Sequence, residues 1–275
     1  MRRDHPDLPF AEGKTTSMRS RVTKPVVVMH GGASNREHDR TLATRFLQTV
    51  TAQAQTYLQT GAEGVDVAEW ALVQLELSGL YNAGQGASSL QRDAGIMVGS
   101  TQRFGGISLV NLATPIRAAR LVMERTPHVL LAGPDAERWA LEQLPASQGT
   151  RGAATEGDTV GIVLLDVYGE LVAAGSTGGT RHKLPGRVSG VSQPGLGTYA
   201  DNTCAVAVSG HGETFMEHVT PHAVAVLRHR TSLEQAAVEA LQVTPPGTGG
   251  LIAVDCTGQL VVAYNSRFFT YATAS

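Results

Sequence analysis

The sequence predicts a mixed α/β fold in which two antiparallel sheets lie between two layers of helices. Two pairs of short apolar segments, residues 159–166 with 171–176 and residues 250–255 with 260–264, are joined by glycine-containing turns and predict two β-hairpins. Other segments have apolar residues at helical spacing, so their apolar faces need a sheet to cover. Four layers, helix–sheet–sheet–helix, satisfy both conditions. A doubly wound nucleotide-binding fold fits less well because it needs strict alternation of strands and helices.

The elements can be placed in order along the chain. An apolar, β-branched run at residues 25–29 stops at His30-Gly31-Gly32 and predicts a buried strand. Residues 81–89 contain too many glycines and serines for a regular element, and residues 145–158 are small and polar, which is typical of a linker. Further strands are predicted at residues 105–110 and 204–208. Helices are predicted at residues 36–60, 65–77, 115–125, 135–144, 216–228 and 232–243.

Composition and charge exclude several classes of partner. The 275 residues carry a formal net charge of −2 and 5% aromatic residues, so we expect neither nucleic acid nor an anionic membrane as partner. No run approaches the ~20 apolar residues of a membrane span. Residues 1–24 are polar and basic and lack the apolar run of a signal peptide, which predicts a disordered tail on a cytoplasmic protein.

The cysteines give no sign of a metal centre. Cys204 and Cys256 lie in apolar, strand-like sequence, and we interpret both as small buried residues, with a disulfide as the less favoured alternative. No His or Cys cluster has metal-ligand spacing, and we expect no organic cofactor.

A threonine lies at the junction between the linker and the next strand. Thr159 follows Asp158 and opens an apolar segment. An internal threonine hydroxyl is a poor nucleophile, but cleavage of the preceding peptide bond would free an α-amine with a pKa of about 7.7–8.0 that can act as its base. The position therefore suits an N-terminal nucleophile, although spacing alone favours a plainer interpretation, a β-branched residue that opens a strand.

Eight short segments together resemble one known family. In chain order they are HGGA, NAG-x-G, DTVG, STGG, KLPGRV, GLGTYADN, SGHGE and GTGGLIAVD. Their order and approximate spacing are similar to those of the isoaspartyl peptidases and plant-type L-asparaginases, which are N-terminal nucleophile hydrolases. The resemblance implies a four-layer αββα sandwich whose precursor cuts itself between Asp158 and Thr159. Residues 25–275 would form a single domain, built from an α segment, residues 25–158, and a β segment, residues 159–275.

The resemblance also implies roles for particular residues. Thr159 would be both the self-cleavage residue and the catalytic nucleophile, and Thr177, the Thr of STGG, would orient it. Ser209 and Gly210 match the hydroxyl and the backbone N–H that stabilise the oxyanion. Arg187 matches the arginine that binds the substrate α-carboxylate, a role for which the planar guanidinium is suited.

Two further positions match the surroundings of the family's substrate. Asn82 corresponds to an asparagine near the site, and Gly212 is the second glycine of the SGHGE segment, at a substrate-binding position. In the family the loop that corresponds to Asn82 to Ser89 often holds a structural sodium ion through backbone carbonyls. The segment between Gly86 and Ile96 is a few residues shorter here, which weakens the expectation of sodium.

Gly190 is the main departure from the family. It stands three residues after Arg187, at a substrate-binding position where the family has an aspartate that binds the α-amino group. Loss of that carboxylate should weaken the binding of an ammonium group by about a few kcal/mol unless Asp201 or another acid replaces it.

The predicted function is hydrolysis of small aspartyl amides, either isoaspartyl dipeptides or L-asparagine, through an acyl-enzyme. Two alternatives stay open. One is a glycosylasparaginase-like amidase, because an aspartate precedes the nucleophile in those enzymes too. The other is a degenerate homologue that never cuts itself and acts by binding. The resemblance further implies a homodimer of processed αβ units.

Overall fold

The computed structural model describes residues 24–37, 39–145, 149 and 159–275. Its strands are β1 Val26–Ser34, β2 Arg92–Val98, β3 Arg103–Val110, β4 Leu130–Ala132, β5 Val160–Leu165, β6 Leu171–Thr177, β7 Thr198–Ala200, β8 Cys204–Gly210, β9 Gly249–Asp255, β10 Leu260–Tyr264 and β11 Phe268–Ala274. Its helices are α1 Thr41–Thr60, α2 Gly64–Leu77, α3 Pro115–Arg125, α4 Gly133–Gln143, α5 Gly212–Glu217, α6 Thr220–Arg228 and α7 Leu233–Gln242. Apart from Lys24, Pro145 and Gly149, the predicted tail and linker lie outside the described residues.

The strands form two sheets that pack face to face. The larger sheet has the order β11-β1-β5-β6-β2-β3-β4, and the smaller one has the order β10-β9-β8-β7. Helices α1 to α4 cover the outer face of the larger sheet, and α6 and α7 cover the outer face of the smaller one. Apolar side chains fill the space between the sheets, among them Val28, Ala207 and Ile252. The predicted helix–sheet–sheet–helix arrangement is confirmed.

Strand β1 lies inside the larger sheet and supports the site. It pairs antiparallel with β5 on one side and with β11 on the other. Its side chains alternate: Val27 and Met29 pack among the helices, whereas Val28 packs between the sheets. The predicted end at His30 is wrong, because the strand continues past an irregular register between His30 and Gly32, where Gly32 has a φ of 113°.

Several other elements differ from the prediction. The predicted helix at residues 216–228 is two helices, α5 and α6, because Val219 between them has a left-handed φ of 49° and Pro221 lies in the first turn of α6. The first predicted helix begins five residues later, at Thr41. Strands β2, β4, β7 and β11 were not predicted.

One of the two cysteine interpretations is wrong. Cys204 is buried as expected, but Cys256 is exposed, and both thiols are free. Among the described residues, no helix combines the length and the apolar character that a membrane crossing requires.

Candidate active site

The β5–β6 hairpin brings two threonine hydroxyls together. Val160 pairs with Ser176, so Thr159 and Thr177 are neighbours at the open end of the hairpin. Their Oγ1 atoms lie 2.9 Å apart, and Thr177 Oγ1 also accepts a hydrogen bond of 3.0 Å from the Gly179 N–H. Because that N–H occupies one acceptor site, Thr177 can donate its own proton to Thr159 and orient a lone pair of the nucleophile.

A buried histidine holds the main chain of Thr159. His30 lies on β1 opposite Gly161, and its Nδ1–H donates to the Thr159 carbonyl at 3.1 Å. Burial lowers the pKa of His30 to about 4, so the ring is neutral around pH 7. Gly161 permits this packing, since a Cβ there would lie 2.2 Å from His30 Nε2. No role for His30 was predicted, although its position in the HGGA segment was the available signal.

A cavity opens beside Thr159, and most of the predicted site residues line it. They are Thr159, Thr177, Arg187, Gly190, Ser209, Gly210 and Gly212. The hairpin supplies the two threonines, β8 ends in Ser209 and Gly210, and Gly212 begins α5. The structure therefore brings together residues that are more than 50 positions apart in the chain. Asp158, the predicted partner in self-cleavage, lies outside the described residues, so that prediction remains untested.

Asn82 does not line the cavity but lies directly behind it. Its Nδ2 donates to the Gly179 carbonyl at 2.5 Å, and its own carbonyl accepts from Gly178 N at 2.6 Å. Its Oδ1 accepts from the backbone N–H and the hydroxyl of Ser88. Asn82 therefore fixes the turn that positions Thr177 and makes no contact with the cavity itself.

Among the described residues, Arg187 is the one charged side chain that lines the cavity. Its Nε and Nη2 both lie 2.9 Å from Glu213 Oε1. No role for Glu213 was predicted from the sequence. Desolvation opposes ionisation of Glu213, but the hydrogen bond and the charge of Arg187 have the larger effect and hold the pKa of Glu213 below its usual value. Gly212 allows the guanidinium to approach, because a Cβ there would lie 2.6 Å from Nη2.

Gly190 is buried in the wall of the cavity, and no acid of the described residues lines the cavity in place of its missing side chain. Asp201 does not line the cavity: its Oδ1 accepts from Thr203 and from the Cys204 N–H in the turn before β8. The proposed replacement by Asp201 is therefore wrong. Asp93 is closer, but its Oδ2 accepts from the N–H and hydroxyl of Ser189 and anchors the segment that carries Gly190.

A buried cation, Arg92 at the start of β2, contacts the predicted sodium loop. Arg92 is fully buried, and its Nε donates to the Gly84 carbonyl at 2.6 Å. Its Nη1 lies 2.5 Å from Asn111 Oδ1 and 3.4 Å from the Leu90 carbonyl. Burial lowers the pKa of Arg92 only to about 10, so it stays charged at neutral pH. The described residues therefore do not fit a sodium ion at Gly84, because its carbonyl is engaged and a positive charge is already present. Sodium elsewhere in the loop stays a prediction.

Comparison of the sequence with known proteins identifies the family of this chain. The family model described as Asparaginase matches residues 23–148 and 142–275. The chain belongs to the asparaginase family. One relative, the isoaspartyl peptidase of Salmonella typhimurium, is 34% identical over 90% of this chain and 94% of that protein. The isoaspartyl peptidase/L-asparaginase of Bos taurus is 35% identical over 91% and 93%, and the plant-type L-asparaginase of Pyrobaculum calidifontis is 35% identical over 88% and 94%.

Membership in the asparaginase family confirms the resemblance inferred from the eight segments and makes the protein a hydrolase of amide bonds. The cavity beside Thr159 is the candidate active site of this chain. It combines the hydroxyls of Thr159 and Thr177, the guanidinium of Arg187, and Ser209 and Gly210 at the end of β8. These are the groups that acyl transfer from an anionic substrate needs.

Proposed function

We propose that the protein is a self-processing threonine hydrolase that cleaves β-aspartyl amide bonds, in isoaspartyl dipeptides or L-asparagine. One observation carries the proposal: the Thr159 hydroxyl lies 2.9 Å from that of Thr177, in a cavity that Arg187, Ser209 and Gly210 also line. The names of the relatives, isoaspartyl peptidase and L-asparaginase, support the same class of substrate.

Self-cleavage would create the nucleophile. Thr159 Oγ1 attacks the Asp158 carbonyl carbon, the peptide C–N bond breaks, and an ester links Asp158 to the threonine side chain. Water then hydrolyses the ester and leaves a carboxylate on Asp158 and a free α-amine on Thr159. That amine, with an ordinary pKa near neutrality, can take the proton of the adjacent hydroxyl. His30 would hold the Thr159 carbonyl in place through both events.

Catalysis would repeat the attack on the substrate. Arg187 binds the substrate α-carboxylate, and Thr159 Oγ1 attacks the side-chain amide carbon. Ser209 and the Gly210 N–H stabilise the oxyanion, and the amine leaves with a proton from the Thr159 α-ammonium. Water then attacks the acyl-enzyme, again with the α-amine as base, and releases the acid product.

The intact mass of the purified protein tests self-processing. We expect the wild type to give two fragments divided between Asp158 and Thr159, whereas Thr159→Ala stays intact because it has no nucleophile. Thr180→Ala, which changes another threonine of the cavity wall, is the matched control and should still be cut. An uncut wild-type chain would contradict the proposal and favour a non-processing homologue that acts by binding.

A substrate panel separates the remaining alternative. We expect a processed enzyme to release an amino acid from β-aspartyl dipeptides, or ammonia from L-asparagine, faster than it releases a glycosylamine from a glycosylated asparagine. The opposite order would favour the glycosylasparaginase-like amidase. Thr159→Ala supplies the background rate for each substrate.

Assembly and location belong to the same proposal. The resemblance supports a homodimer of processed αβ units, and we propose that these units are cytoplasmic. Light scattering of the processed protein would test the assembly, since a mass of one αβ unit would contradict it. Fractionation of the producing cells would test the location.

A further inference from the structure

The substrate cavity carries a cationic group for a carboxylate but no acidic group for an amine. Arg187 lines it, and no acidic side chain of the described residues does. The nearest carboxylates are committed elsewhere: Glu213 to Arg187, and Asp93 to Ser189 and, through Oδ1, to the Leu109 N–H at 3.0 Å. An ammonium group in this cavity would therefore lose water without gaining a counter-charge.

Among the described residues, the wall around residue 190 presents apolar atoms and a backbone carbonyl but no acidic side chain. A Cβ on Gly190 would lie 3.0 Å from Met216 Cγ and 3.2 Å from the Leu196 carbonyl carbon and oxygen. The Met216 side chain thus occupies the space into which a longer side chain at this position would extend. Val191, Leu196, Val208 and Phe215 complete the apolar part of the lining.

The charge pattern suits a substrate that is anionic at one carboxylate and otherwise neutral. Arg187 retains Nη1, which makes no hydrogen bond within the described residues, while Nε and Nη2 are held by Glu213. A carboxylate can therefore bind a guanidinium that is already oriented. The α-substituent of the same molecule would face Gly190, apolar side chains and the Leu196 carbonyl, none of which carries a charge.

Resting on the proposed function, we infer that the enzyme prefers β-amides whose α-carbon carries no charged amine, such as succinamate or N-acylated asparagine. The chemistry is unchanged. Thr159 Oγ1 bonds to the amide carbon, the C–N bond breaks and ammonia leaves with a proton, and water then releases succinate from the ester. Activity on β-aspartyl amides with a free ammonium group remains but is weaker.

The test compares kcat/KM of the processed wild type for succinamate, N-acetyl-L-asparagine and L-asparagine by ammonia release. We expect at least one of the two substrates without an ammonium group to exceed L-asparagine by about tenfold or more, because the ammonium of L-asparagine is buried without a partner. The N-acetyl compound shows whether the apolar wall also accepts an acyl group. L-Asparagine as the best of the three would overturn the inference and leave the proposed function standing.

Variants that restore a carboxylate provide the second arm. Because a Cβ at residue 190 would crowd Met216, Gly190→Asp and Gly190→Asn are made in a Met216→Ala background, with Met216→Ala alone as reference. We expect the Asp variant to raise the ratio of L-asparagine to succinamate activity about tenfold or more, whereas the Asn variant, equal in size but uncharged, leaves the ratio unchanged. An equal rise in both would overturn the charge argument.

A third arm does not depend on folding of the variants. Succinate and L-aspartate are compared as competitive inhibitors of the wild type, and succinate is expected to inhibit at a roughly tenfold lower concentration. Tighter binding of L-aspartate would overturn the inference. An uncut chain that hydrolyses none of the amides would overturn the proposed function together with it.

Discussion

At the scale of the residue, the Thr177 side chain orients the hydroxyl of the proposed nucleophile, Thr159. The Thr177 hydroxyl is the side-chain contact of Thr159, and its own position is set by the Gly179 N–H. We expect Thr177→Val, which keeps the shape and removes the hydroxyl, to lower kcat roughly 10- to 100-fold. Thr177→Ser keeps the hydroxyl and should retain most of the activity. Steady-state kinetics on a β-aspartyl dipeptide measure both, and a valine variant with wild-type kcat would contradict the assigned role.

His30 makes the stability of the protein depend on pH in the acid range. Its folded pKa of about 4 lies below its ordinary value of 6.5, so the unfolded chain binds a proton that the folded one excludes. Stability from this group is present above pH 6.5 and is lost as the pH falls toward 4. We expect the unfolding free energy to fall by on the order of 1 kcal/mol more between pH 7 and 5 in the parent than in His30→Asn.

Urea unfolding at the two pH values measures this difference. Both proteins carry Thr159→Ala, so that each unfolds as one chain. Asn can present an N–H close to the position of Nδ1, and it therefore serves as the matched replacement. Equal losses in the two proteins would show that His30 does not titrate below its ordinary pKa.

At the scale of the element, Glu76 joins helix α2 to its neighbours. Its Oε1 accepts from Ile116 N at the start of α3 and from the Ser176 hydroxyl on β6. Burial raises the pKa of Glu76 to about 8, so the folded state holds a proton that the unfolded chain releases above its ordinary value of 4.5. Its contribution to stability is therefore complete below pH 4.5 and is lost as the pH rises through 8, the opposite direction from His30.

Glu76→Gln tests the direction of this dependence. Glutamine keeps the side-chain length and an acceptor oxygen but does not titrate. We expect the parent to lose stability relative to Glu76→Gln between pH 5 and 8, again measured by urea unfolding in the Thr159→Ala background. A parent that gains stability relative to the variant over this range would contradict the raised pKa.

Arg92 is a buried cation that contacts the loop before β2, and its substitution tests whether it stabilises that loop. Removing the guanidinium leaves the Gly84 carbonyl and Asn111 Oδ1 without this buried donor, so Arg92→Met should cost about 1–3 kcal/mol for each acceptor left unsatisfied. Unfolding of the wild type in sodium and potassium chloride of equal ionic strength tests the remaining prediction of sodium elsewhere in the loop, and equal unfolding temperatures would indicate that Arg92 alone supplies the charge. A higher unfolding temperature in sodium alone would indicate that the loop binds sodium after all.

At the scale of the whole molecule, the four layers and most of the residues of the cavity could be predicted from the sequence. The contacts between distant elements could not. Helix α3 was predicted with its observed ends because its apolar spacing and terminal Pro115 are local signals. The support from His30 and the pairing of Glu213 depend on strands and helices far apart in sequence. Strand β11 was missed for the same reason, since its partner β1 lies more than 200 residues earlier. The break at Val219 was missed although Pro221, two residues later, is a local signal of a helix start; the left-handed φ of the valine itself gives none.

The order of the larger sheet makes one prediction about the processed protein. Strand β1, from the part of the chain before Thr159, lies between β11 and β5 from the part after it, and β2 pairs with β6 across the same boundary. Separating the two fragments would break three strand pairings and expose apolar side chains on both faces of the sheet, among them Val28, Met29 and Ile162.

We therefore expect the fragments to elute together in native size-exclusion chromatography and to separate only in denaturant. The uncut Thr159→Ala chain marks the position of an intact unit. Urea unfolding of the processed protein, monitored by tryptophan fluorescence and by far-UV circular dichroism, should give coincident transitions, since the larger sheet is shared between the two fragments and the smaller sheet packs on it. Elution of the residue 159–275 fragment alone in native buffer would contradict the interleaved arrangement, because β5 and β11 would then have to be stable without β1 between them.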